Sequence, residues 1–153
     1  MKKKLFVVLV LAIAAGGLLY WGKENSQANR NLRALNAAIL NIHTDTVLLN
    51  EVVPFDWDVV YTPEPCQTGK EIEKLIGFPS PAIREEPVGE DMTYLIFVKG
   101  REVVCSVLGS PSELGYRLCL DGDNCLTREE NVWFRVLRGN GVIWLDDGVE
   151  ELP

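Results

Sequence analysis

The chain begins with an apolar block. Leu5 to Trp21 carries no charged residue and follows Lys2, Lys3 and Lys4. At about 1.5 Å of rise per residue, a helix of this length nearly crosses a hydrocarbon core of roughly 30 Å. The lysines lie before the block, while Lys23 behind it is offset by Glu24, which keeps the N-terminus in the cytoplasm. Tyr20 and Trp21 suit the far interface. Residues 1–22 therefore read as a signal-anchor held in the inner (cytoplasmic) membrane, with the C-terminal domain outside, periplasmic or extracellular. The alternative is secretion after cleavage following Ala28, because Ser26 and Ala28 are small at the two positions a signal peptidase reads.

Behind the block, Ala28, Leu32, Leu35, Ile39 and Ile42 recur at helical spacing. Residues 23–45 read as a juxtamembrane helix. Its stripe packs on the domain behind it, or else joins a homodimer through Leu32, Leu35, Ile39 and Ile42. Residues 46–153 form the extracytoplasmic domain. Phe55, Trp57, Val59 and Tyr61 alternate with Asp56 and Asp58, which predicts a strand with its aromatic face inward. Thr68-Gly69-Lys70-Glu71 is a capping box, and it opens a helix with Ile72, Leu75 and Ile76 inward that ends at Gly77. Phe78 to Asp91 is a proline-rich acidic loop.

Two hairpins follow. Met92–Val98 and Arg101–Leu108 turn at Lys99-Gly100, pairing Ile96 with Val103 and Tyr94 with Cys105 and placing nearly all large apolar residues on one face. Val132–Arg138 and Val142–Leu145 turn at Gly139-Asn140-Gly141. The expected fold is α+β: a transmembrane or signal helix, then a two-layer domain of antiparallel sheet packed with one or two helices. Trp57, Trp133 and Trp144 are expected in its core.

Charge narrows the partners. Beyond Trp21 there are 12 basic and 22 acidic residues, a balance of −10. Nucleic acid and anionic lipid need clustered Lys and Arg, so neither fits. All four cysteines, Cys66, Cys105, Cys119 and Cys125, lie in the exported part. That predicts two disulfides, with Cys66–Cys105 and Cys119–Cys125 preferred among the three connectivities. Zinc requires close Cys-x-x-Cys pairs, and none occurs.

Catalytic motifs are lacking. His43 is the single histidine, so a Ser-His or Cys-His arrangement has no support. Asp56 and Asp58 share a strand face, as an acid–base pair would, but the same pattern describes a solvated face. Asp121-Gly122-Asp123-Asn124 starts like a calcium loop, then fails, with Cys125 and Val132 at ligand positions. No catalytic, cofactor-binding or metal residue is assigned, and no cofactor is expected.

The run Phe55-Asp56-Trp57-Asp58-Val59-Val60-Tyr61, a proline-containing link and the helix Glu71 to Gly77 resemble a family of small bacterial lipoproteins and membrane-anchored proteins of uncharacterised function. The likeness covers roughly residues 53 to 108. It departs at Cys66, where an aromatic is expected, and in lacking a lipobox. It implies anchoring in the bacterial envelope and an α+β fold, and brings no activity. The Lys70 to Pro79 helix followed by a hairpin also resembles the BamE/SmpA-like envelope domains. The function expected is a non-catalytic, membrane-tethered module that binds an unknown protein or envelope component. The alternatives are a secreted or periplasmic acidic inhibitor of a basic enzyme and a carboxylate-dependent hydrolase.

Overall fold

Ser26 starts the first helix, its hydroxyl accepting from the Asn29 N–H, in a computed structural model that describes residues 26–120 and 124–148. Leu5 to Trp21, Asp121 to Asp123 and the tail from Val149 lie outside the described residues. Among the described residues no helix is long and apolar enough to cross a membrane. Helix α1 (Gln27–Leu40) buries Leu35 and Ile39 completely. Its asparagines, weak helix formers, carry tertiary bonds. Buried Asn31 donates to the Val104 carbonyl at 2.8 Å, and Asn36 accepts from the Tyr116 hydroxyl at 2.6 Å. The helix thus belongs to the same folded unit as the sheets. Leu35, Ile39 and Ile42 lie in the chain's own core, and Leu32 packs partly against it.

After α1 come β1 (Thr46–Leu48), α2 (Leu49–Val52), β2 (Val59–Tyr61), α3 (Gly69–Ile76), β3 (Thr93–Lys99) and β4 (Glu102–Gly109). Then follow α4 (Pro111–Leu114), β5 (Tyr116–Cys119), β6 (Cys125–Thr127), a 3-10 turn (Arg128–Glu130), β7 (Trp133–Gly139) and β8 (Val142–Asp146). The architecture is α+β, and the strands form two sheets rather than the single sheet expected. One has the order β1-β7-β8-β5, the other β4-β3-β2-β6. Every pairing is antiparallel except β5 with β8. The main core lies between the sheets and takes Phe134, Val136, Leu145 and Tyr116 from the first, and Val60, Leu95, Phe97, Cys105 and Val107 from the second. A second core lies on the far side of β3 and β4, where Ile72, Ile76, Phe78 and Ile83 cover Tyr94, Ile96, Val98 and Val103.

The first hairpin departs from its expected register. Gly100 takes the left-handed conformation (φ 58°) and the turn is Gly100-Arg101, so Lys99 pairs with Glu102 and Val98 with Val103. A bulge at Val104 then sets Phe97 opposite Cys105 and Tyr94 opposite Leu108. The apolar residues of β4 divide between both faces as a result, Val103 packing on one side and Cys105 and Val107 on the other. The second hairpin forms where expected, but its turn is Asn140-Gly141 alone, since Gly139 pairs with Val142; both turn residues are at positive φ (51° and 76°), the requirement of a tight two-residue turn.

The strand expected over Phe55–Tyr61 is shortened to β2. The chain bends at Asp58, whose carboxylate accepts from the Gly100 N–H at 2.7 Å. Its backbone N–H donates to the Val98 carbonyl, and its carbonyl accepts from the Arg128 N–H. The bend breaks the alternation, so Trp57 and Val60 enter the same core. Phe55 and Trp57 meet Phe97 edge-on, at 5.5 and 5.7 Å between centroids. Helix α3 forms as its capping box predicts. The Thr68 N–H donates to the Glu71 carboxylate at 2.7 Å, and Gly77 closes the helix at φ 85°.

Leu35 fills the centre of α1's contact. Leu35→Ala is expected to lower unfolding free energy by about 3 kcal/mol, measured by urea denaturation. A loss below about 1 kcal/mol would contradict this placement.

Candidate binding face

Alternation along β7 sends Phe134 and Val136 into the main core and turns Trp133, Arg135 and Leu137 outward. Their register partners share that outward face. Leu48 lies beside Trp133 and Thr46 beside Arg135 on β1, while Asp146 lies beside Arg135 and Trp144 beside Leu137 on β8. On β5, Arg117 stands next to Trp144. Its guanidinium carbon sits 5.8 Å from the Trp144 ring centroid, a cation–π contact. The Arg135 guanidinium meets the Asp146 carboxylate at 3.8 Å. Trp133 is 50% exposed and Leu137 46%, so these side chains meet water rather than a packed layer. Trp144 is half-buried. The expectation of three core tryptophans holds for Trp57 alone, at 1% exposure. Parity with Arg135 was the signal that Trp133 points out.

The edge of this face at Arg117 borders a cleft of about 100 Å³ shared with Glu64, Glu90, Thr93 and Leu118. It is sized for about three waters and is smaller than pockets for drug-sized ligands, which run from roughly 300 Å³. The buried Thr93 hydroxyl has no protein partner.

The carboxylate pair serves the hairpin. Asp56 accepts from Lys99 Nζ at 2.7 Å and from Arg128 Nη1 at 3.3 Å. The Lys99 bond, then the Arg128 bond, hold its carboxyl below the usual carboxylate range. Asp58 is engaged with Gly100. A general acid needs the opposite shift. His43 is exposed. Among the described residues no group of His, Cys, Asp and Glu is gathered to hold a metal. The calcium-like run Asp121 to Asp123 lies outside them.

No disulfide joins any two of Cys66, Cys105, Cys119 and Cys125, so neither expected pairing, Cys66–Cys105 or Cys119–Cys125, is formed. Cys105 lies in the main core, where burial pushes its thiol up to about 12. Cys66 is exposed on the loop before α3. The expected Cys66–Cys105 bond would require pulling Cys105 out of that core. No protein-family model, curated protein or solved structure matches the chain.

The Asp56 cluster predicts a pH response. A carboxyl with a depressed folded pKa contributes stability that is full above its unfolded value, near 3.8, and is lost as pH falls through the folded value. Asp56→Asn should therefore lower the urea midpoint at neutral pH. The difference should begin to shrink at about pH 4, where the unfolded carboxyl takes up its proton, and be lost as pH falls through the folded value. A difference that stays constant to about pH 2 would assign Asp56 no ionic role.

Proposed function

We propose that the chain is a non-catalytic, membrane-tethered domain held outside the cytoplasm, and that it captures a segment of a partner protein on the open face of its β1-β7-β8-β5 sheet. The observation that carries this reading is Trp133 at half exposure, with Leu137 further along the same outward side of β7, on a sheet face whose other side is a packed core. Leu5 to Trp21 supplies the tether, read from its apolar length and the lysines before it.

The chemistry of the face favours a protein over other envelope components. Trp and Arg are the residues that dominate protein–protein contact energy, and this face holds two of each with no lysine. A domain balance of −10 opposes an anionic lipid surface. A glycan would want more polar acceptors beside the rings than Asp146 and Thr46 provide. Four strands about 4.8 Å apart and some four residues tall give a face on the order of 300 Å². That is well short of the roughly 800 Å² per partner of a standard interface. A loop or extended peptide of the partner fits this size better than a second copy of the chain. The hydrolase alternative loses its residues, since Asp56 and Asp58 are engaged at the hairpin.

The test is crosslinking in membranes, with identification of the captured protein. Trp133→Ser with Leu137→Ser should reduce capture at least tenfold, because hot-spot truncation costs about 2 kcal/mol or more. The thermal midpoint should barely change, as both side chains are exposed. Equal capture by the double variant would overturn the assigned face. N-terminal sequencing tests the tether independently, and a mature start at Asn29 would replace anchoring with secretion.

A further inference from the structure

No disulfide is present in the structure, and we propose that oxidation joins Cys66 to Cys125 while Cys105 and Cys119 remain thiols. The assignment follows from which side of the two-sheet stack each cysteine occupies. Val60 and Leu126 are register partners on β2 and β6, and both point into the main core. The next pair along is Tyr61 with Cys125, which alternation turns to the opposite face. Tyr61 packs there against the second core together with Val88. Cys66 comes to the same place by another route. Its N–H donates to the Val88 carbonyl at 2.9 Å.

The intervening chain is pinned along β6's approach. The Thr62 N–H donates to the Asn124 carbonyl at 2.8 Å, and the Asn124 side chain donates to Glu64 Oε1 at 3.1 Å. Cys66 and Cys125 are both exposed on this side.

The other two cysteines are placed differently. Tyr116 and Leu118 of β5 point into the main core, so Cys119 shares the outward side of β5 with Arg117, opposite its register partner Asp146. Cys105 is fully buried between the sheets and faces neither exposed thiol.

The oxidant is a disulfide, such as oxidised glutathione or the catalytic disulfide of an oxidoreductase. One cysteine loses its proton and its thiolate attacks the oxidant, releasing one thiol and leaving a mixed disulfide. The second cysteine, also deprotonated, displaces the remaining half as a second thiol. One S–S bond is broken and one formed, and the two electrons pass to the oxidant. Persistence in the cell rests on the export reading, because cytoplasmic thiols stay reduced. The bond would staple the entry of α3 to edge strand β6.

The full chain in detergent, equilibrated with mixed reduced and oxidised glutathione, is alkylated and mapped without reduction. Wild type and Cys119→Ser should both yield a Cys66–Cys125 linked peptide, and Cys66→Ser should yield no internal link. Reductant should lower the wild-type melting midpoint by roughly 10 °C and leave that of Cys66→Ser unmoved. A link in Cys66→Ser, or none in Cys119→Ser, overturns the assignment. Alkylation in intact cells separates the two readings. Reduced cysteines there, with the link formed in vitro, would refute export and leave the pairing standing.

Discussion

Strand β3 has almost no contact with water. Six consecutive residues, Thr93 to Val98, are buried, so both of its faces must be covered. Leu95 and Phe97 demand the opposing sheet, and Tyr94, Ile96 and Val98 demand α3 and the loop behind it. Phe97 is the contact on which most depends. It faces Val60 on one neighbour and Cys105 on the other, and receives the edges of Phe55 and Trp57. The bend at Asp58 is what delivers Trp57 there, which ties the polar hairpin clamp to the apolar centre.

This double burial also explains what the sequence conveyed and what it hid. The α3 helix, its caps and the Asn140-Gly141 hairpin were legible because their signals are local. Thr68, Glu71, Gly77 and Gly141 each act within a few residues of themselves. The second sheet was not legible. A strand buried on both faces reads as a continuous apolar run, and alternation then cannot say which side is in. A single bulge at Val104 shifted every later pair in β4. The Phe55–Tyr61 alternation misled because Asp58 serves the distant Gly100 and Arg128, a demand set by tertiary contacts rather than by neighbours in sequence. The candidate face was half legible. Trp133 shares parity with Arg135, but an isolated tryptophan between apolar residues reads first as core.

The acidic residues follow a similar division. Glu71, Glu113 and Glu130 each close a turn by accepting from Thr68, Ser110 and Thr127 at its start. These bonds hold all three carboxyls below their ordinary range. Each such group contributes to stability only while ionised, so with Asp56 they favour the fold above the ordinary carboxyl range and lose that contribution as pH falls through their depressed folded values. Four of the 22 acidic residues are therefore committed to local structure while keeping their charge.

The two sheets are treated unequally, and this asymmetry is the strongest pointer to function. The outer side of β3 and β4 is closed by α3 and the Phe78–Ile83 segment. The outer side of β7 and β8 exposes Trp133 and Leu137 instead. Its β1 edge is guarded in the usual manner, since β1 is three residues long and runs directly into α2, leaving little backbone for a foreign strand to pair with. A fold that blunts its sheet edge yet leaves tryptophan on the flat of the same sheet suppresses strand addition while keeping side-chain docking available. Selection for solubility alone would remove Trp133 and Leu137 at almost no cost to the core, because Phe134 and Val136 on the opposite face hold the strand. Their presence beside Arg135 and Trp144 is what a side-chain docking surface requires, and the core beneath holds it flat.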